Sequence, residues 1–267
     1  MKDIFERIFE LKRERRVFCL TTLIKSDGSS PRDLGARMIV YPQGDIEYTI
    51  GGGALEKLVI EDALNGFEKK ENFTKRYNLL KKELEEGTPT GMACGGIVEV
   101  LFEYFYPEEI LIIFGAGHIA RAISKIAGLI GLPFIVIDNR KDFAKKEFFP
   151  GAVDVICEDY KESFKKLKID KNTYIVIVTY CHQFDSVCLE EALKTEAKYI
   201  GMIGSKNKVK SVFKEIEEKG LKIDERVHAP VGLDIGGKTP GEVALSIMAE
   251  IVKIKNRGSG KSMREFL

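Results

Sequence analysis

Ile110-Leu111-Ile112-Ile113-Phe114-Gly115-Ala116-Gly117-His118-Ile119-Ala120 is the stretch on which the reading of this chain turns. Its unbroken apolar run suits a strand buried on both faces of a parallel sheet. The G-x-G-x-x-A pattern follows at once. Gly115 permits a tight turn, Gly117 lets backbone come close to a phosphate, and Ala120 lets the next helix pack tightly on the sheet. A helix opening at His118 offers unpaired N–H groups and a partial positive charge to an anion. The following strand ends on Asp138, about 20 positions on, where a ribose-binding acid belongs in such a fingerprint. Strand, glycines, helix and acid in register predict a Rossmann-type unit. Arg140 then stands either as a partner for a 2′-phosphate or as a plain surface residue.

Working outward toward the C-terminus, strands and helices alternate. Helices are expected at 118–130, 141–147, 160–168, 185–194, 205–219 and 240–254, and strands at 110–114, 133–138, 153–157, 173–179 and 197–202. This grammar predicts βαβ units and a doubly wound parallel sheet. Thr239 as N-cap and Pro240 in the first turn mark the start of the last helix. Before Pro107 the grammar differs: a helix at 2–15, strands at 17–24, 38–41, 46–50, 73–80 and 97–105, and a helix starting near Ala54. The fold class expected is therefore α/β, a Rossmann-type doubly wound parallel sheet preceded by a smaller strand-rich α+β domain. The domains are placed at 1–107 and 108–254, with 255–267 a flexible tail.

Composition narrows the function classes. Among 267 residues, 42 Lys and Arg face 41 Asp and Glu, so no cationic surplus marks a nucleic-acid binder. Hydrophobic residues at 44% are enough for a real core. No apolar run has the length of a membrane span, and Met1–Arg7 lacks a signal core. Five cysteines are an odd and scattered set, which suits reduced thiols in a cytoplasm. Three histidines and no C-x-x-C pair give a structural zinc site little to build on.

Three glycine-rich stretches precede the Rossmann unit. Gly28-Ser29-Ser30-Pro31-Arg32 and Gly35-Ala36-Arg37 place Arg32 and Arg37 in one loop, as candidates to meet an anionic ligand. Gly51-Gly52-Gly53 leads into a helix, where such glycines are costly in entropy unless backbone must take positive φ or meet a ligand closely; Gly52 and Gly53 are the candidates there. Gly91-Met92-Ala93-Cys94-Gly95-Gly96 frames a thiol. Cys94 reads either as a soft-metal or sulfur-handling thiolate, with Gly95 beside it, or as a small residue buried in a turn. Beyond the later strands, His182 in Thr179-Tyr180-Cys181-His182-Gln183-Phe184-Asp185 and Ser205 in Gly204-Ser205-Lys206 fall where open parallel sheets gather ligands. His182 reads as an anion donor or proton carrier, or else as a helix-capping loop residue together with Asp185. The loop His228–Gly237 is nearly uncharged, and something is expected to pack on it.

In their order along the chain these stretches, from GSSPRDLGARM and GGGALE through ACGGIVEVLFE, FGAGHIARAI, TYCHQFD and GMIGSK to HAPVGLDIGGKTPGEVALSIMAEI, resemble the xanthine dehydrogenase accessory family, the XdhC/CoxI group. The resemblance covers nearly the whole chain. It implies an accessory domain joined to a Rossmann domain, commonly dimeric, and a chaperone rather than a turnover enzyme. It further implies binding of molybdenum cofactor, as molybdopterin or its nucleotide form, during sulfuration, and delivery to a xanthine dehydrogenase-like molybdenum hydroxylase client. A cysteine desulfurase or other sulfurating partner follows from that role. Carried over by motif, Cys94 would approach the metal and Gly95, Gly115, Gly117 and His118 would line the cofactor. Ala54 stands where some relatives carry a second cysteine, and Cys181 where glycine is expected. An NAD(P)-dependent oxidoreductase using Gly115, Gly117, Asp138 and His182, and an adaptor with a vestigial site, are the alternative functions.

Overall fold

The computed structural model describes residues 3–28, 32–79, 88–89 and 96–266. The chain divides into two compact units, Met1–Glu108 and Glu109–Leu267.

The first unit runs α1 (Ile4–Arg13), β1 (Phe18–Gly28), β2 (Arg37–Val40), β3 (Ile46–Tyr48), α2 (Gly53–Gly66), β4 (Phe73–Asn78), β5 (Thr88–Pro89) and β6 (Gly96–Phe105). Its strands form one sheet in the order β3-β2-β1-β6-β4-β5. All pairs are antiparallel except β4 with β5. Period-2 alternation gives the sheet two apolar faces. Leu55, Val59 and Ala63 of α2 pack with Cys19, Met38, Val40, Val98 and Phe102 on one. Leu11 of α1 packs with Phe18, Leu20, Ile39 and Tyr41 on the other. Asp3 caps α1 by accepting from the Phe5 N–H at 2.7 Å. Arg7 of the same helix reaches Glu47 of the edge strand at 2.9 Å, which ties helix to sheet. One expectation is corrected: the strand expected at 17–24 runs on as β1 to Gly28, since Asp27 pairs with Ile97 and Gly28 with Gly96.

The second unit runs β7 (Ile110–Phe114), α3 (His118–Leu129), β8 (Phe134–Asp138), β9 (Asp154–Cys157), α4 (Tyr160–Lys166), β10 (Thr173–Ile177), α5 (His182–Leu193), β11 (Tyr199–Met202), α6 (Lys206–Glu218), β12 (Val227–His228) and α7 (Pro240–Lys255). The order β12-β11-β10-β7-β8-β9 is parallel throughout. Leu111 and Ile113 face α3 and α7, whereas Ile112 and Phe114 face α4, α5 and α6. Helices thus cover both faces, as a doubly wound sheet requires. Three local expectations change. Residues 141–147 form turns with a single 3-10 turn at Lys146–Phe148, α5 opens already at His182, and β12 adds a sixth strand. Beyond α7 a short 3-10 turn spans Met263–Phe266. Among the described residues no helix is long and apolar enough to cross a membrane.

Candidate functional site

The strand order of the second unit reverses between β7 and β10. From these neighbours the chain departs to opposite faces, into α3 from β7 and into α5 from β10. The turns after the two strands therefore part and leave a crevice at the carboxyl edge of the sheet, the usual ligand position in such folds. Gly115 lies at φ +110°, and a Cβ there would sit 2.3 Å from the carbonyl oxygen of Val178. The close approach of the two turns thus depends on glycine. Gly117 is extended (φ −77°, ψ −168°), and a Cβ there would meet nothing within 4 Å. As N-cap of α3 it brings no side chain to the first N–H groups of the helix. The space beside Gly117 is open, and the neighbouring His118 is exposed. Ala120 is fully buried, which lets α3 lie close on the sheet.

Asp138 ends β8 with no exposed surface. Its Oδ2 accepts from the Ala116 N–H and from Arg140 Nη2, both at 2.8 Å, and its Oδ1 from the Arg140 N–H and Nε, both at 2.9 Å. A carboxylate offers about four lone-pair positions, and all are taken. Burial pushes this carboxyl up, but the Arg140 and Ala116 donors outweigh it and hold it below the usual carboxylate range. In this arrangement Asp138 braces the glycine turn through Ala116. Arg140 is fixed in turn, its guanidinium lying 3.8 Å from the Phe143 ring and 3.9 Å from that of Tyr180. Tyr180, half exposed on the turn after β10, was not singled out from sequence; its signal is an aromatic side chain following a buried strand.

The turns after β10 and β11 are joined by Asp185, also without exposed surface. It accepts from Thr179 Oγ1 at 2.6 Å and pairs with Lys208 Nζ of α6. Burial raises its carboxyl, and the two donors offset this only in part. Asp185 is thus a strut, whereas His182 is exposed as the first residue of α5. Ser205 is the exposed N-cap of α6 and accepts from the Lys208 N–H at 3.3 Å. Cys181 is the half-buried N-cap of α5 and Cys188 is buried in the core. What packs on the loop 228–237 is α7. Glu250 accepts from the Gly232 N–H at 3.0 Å and from Tyr199 Oη at 2.6 Å, and Ser246 Oγ donates to the Leu233 carbonyl. Among the described residues no three His, Cys, Asp or Glu side chains gather as metal ligands.

Gly115, Gly117, His118 and Asp138 thus meet in one corner of the second unit, with His182 and Ser205 on the next turns of the same edge. The remaining candidates belong to the first unit. Gly51, Gly52 and Gly53 all have positive φ, at 133°, 74° and 69°. The anion held by their turn is the chain's own Glu56, which accepts from Thr49 Oγ1 at 2.5 Å and the Gly52 N–H at 3.2 Å. Arg37 lies 4.9 Å from the Phe5 ring, and Arg32 is exposed. Cys94 and Gly95 lie outside the described residues. Gly28 and Gly96, which adjoin the Ser29–Pro31 and Cys94–Gly95 stretches, are register partners at one end of the β1–β6 ladder.

Comparison with known proteins adds to this geometry. The family model of the XdhC Rossmann domain matches residues 111–251, and that of the XdhC and CoxI family matches residues 11–78. The chain is 30% identical over 264 residues to the uncharacterized protein YqeB of Escherichia coli (strain K12), across 98% of this chain and 48% of YqeB. It is 28% identical over 151 residues to a probable xanthine dehydrogenase subunit of Bacillus subtilis (strain 168), across 57% of this chain and 44% of that protein. The chain therefore spans less than half the length of these two relatives. The solved structure of a xanthine dehydrogenase from Bacillus halodurans matches over 99% of both chains with a TM-score of 0.52 and 23% identity, a likeness of fold.

Proposed function

The chain belongs to the XdhC and CoxI family, and on that premise we propose that it is a maturation factor for a molybdenum hydroxylase of the xanthine dehydrogenase type, binding molybdenum cofactor through the crevice between β7 and β10. The observation that carries the reading is the amino end of α3, which no side chain caps and beside which Gly117 leaves open space. The phosphate that every form of this cofactor carries fits that helix end. When bound, the cofactor supplies a soft, thiolate-held metal with oxo and sulfido ligands. The protein's part is to anchor the phosphate at the glycine turn and to hold that turn still through Asp138, and the family resemblance implies a soft metal donor in Cys94.

The filled carboxylate of Asp138 favours this reading over a dinucleotide-dependent oxidoreductase. A ribose diol needs that acceptor, and Arg140 and Ala116 already occupy it. The test is retention of molybdenum cofactor on the purified chain, read as metal and pterin content after gel filtration, with maturation of an apo-hydroxylase as second readout. Roughly stoichiometric retention is expected, with at least a tenfold loss in Gly117→Val, whose side chain blocks the approach without touching the fold. Cys94→Ser is expected to weaken retention or transfer while leaving the thermal transition in place. No retention by the wild type, or equal retention by Gly117→Val, would sink the proposal.

A further inference from the structure

The α3 helix carries three side chains that bear or can take positive charge, His118, Arg121 and Lys125, and no acid. At positions i, i+3 and i+7 they share one helix face, spread over about 10 Å of axis. They line a single open groove of about 550 Å³, floored by Ala122 and Ile126 and closed on its far side by the first turn of α7 at Pro240 and Gly241. Among the described residues no acidic side chain lines it. Glu242, the nearest acid on α7, is engaged by its own helix cap, accepting from the Lys238 and Thr239 N–H groups at 2.9 Å.

Many lysines and arginines of this unit sit against carboxylates, as Lys198, Lys208, Lys219 and Arg226 do. Among the described residues no carboxylate pairs with His118, Arg121 or Lys125. Arg121 is held in place all the same: its guanidinium lies 3.9 Å from the Phe148 ring, and its Nε is buried without an acceptor. A buried donor without an acceptor costs free energy, so the stack on Phe148 rather than a hydrogen bond fixes this part of Arg121. Lys145, 5.9 Å from the same ring, adds to the positive potential, and its own partner Asp142 is a weak one at 3.9 Å on the open surface.

We propose that the α3–α7 groove is a binding site for a phosphorylated small molecule with at least two adjacent anionic groups, a diphosphate, held by Arg121 and Lys125 and continued by His118 toward the glycine turn. The volume is that of a small-molecule site, and the row of cations matches a short chain of anions rather than a single one. The inference stands apart from the cofactor reading in Arg121 and Lys125, which take no part in the open approach at Gly117.

Inorganic pyrophosphate is the probe, titrated by calorimetry into the full chain. Binding is expected in the wild type and in Gly117→Val, with at least a tenfold loss in R121Q/K125Q. Lys125→Glu, at an exposed position, is a second variant whose fold is safe, and the same loss is expected there. Pyrophosphate binding that disappears in Gly117→Val but survives R121Q/K125Q and Lys125→Glu would overturn the proposal and leave the anion at the glycine turn. Absence of binding in the wild type would overturn it too. So would an Arg121-dependent affinity for decaglutamate in place of pyrophosphate, which would make the occupant an acidic protein segment.

Discussion

Gly115 and Gly117 stand in one turn, yet they answer to different demands. Gly115 combines a left-handed backbone with a carbonyl oxygen 2.3 Å from where a Cβ would lie, so Gly115→Ala has to push the β10 turn away. A loss of about 2 kcal/mol or more is expected from strain and contact together. Gly117→Ala meets open space at an ordinary φ and is expected to stay within about 0.5 kcal/mol of the wild type. Urea midpoints of the two variants check the contrast, and equal midpoints would contradict it. Spacing alone made these two glycines legible, because the fingerprint is local in sequence. Asp138 was legible in place, but its hydrogen-bond partners were not. Its engagement depends on Arg140 folding back between Phe143 and Tyr180, and no count of residues reports that a side chain forty positions away completes the stack.

At the scale of elements, the turns after β10 and β11 are held by one ion pair, between the buried Asp185 and the half-buried Lys208. Lys208→Met strips Asp185 of its cation and leaves a carboxylate in the core, at a cost of about 3–5 kcal/mol. In the double variant Asp185→Asn with Lys208→Met, most of that loss is expected to return, because no buried charge remains. A double-mutant cycle by chemical denaturation measures it, and additive losses would refute the coupling. The long apolar strands and amphipathic helices were plain from periodicity. What was not plain lies at their ends. Ser26-Asp27-Gly28 has turn chemistry, but pairing with β6 draws it into β1. His182 looks like a loop residue because the polar start of α5 hides its period. A strand as short as Val227–His228 carries no period at all and exists only because β11 offers an edge.

For the Rossmann unit as a whole, Glu109 gathers distant parts of the chain. It accepts from Tyr174 Oη at 2.7 Å and Lys198 Nζ at 2.9 Å, and it pairs with Lys255 at the end of α7. Burial raises its carboxyl, yet these donors prevail and bring it from 4.5 down to about 2. With the folded value below the unfolded one, the stabilisation is complete above about pH 4.5 and is lost as pH falls toward 2, an effect of about 3 kcal/mol. Glu109→Gln is expected to flatten that acid limb of the stability profile, and an unchanged limb would exclude the clamp. The central strands have a different consequence. Every residue of β7 and β10 is buried, so the amides of Ile112, Ile113, Ile175 and Val176 should exchange with deuterium only when the whole unit opens, while those of Val227 and His228 exchange by local fraying. The two turns that border the crevice are direct continuations of these slowest strands. A ligand arriving there meets a receptor already set in shape, so little of its binding energy is consumed in ordering the protein.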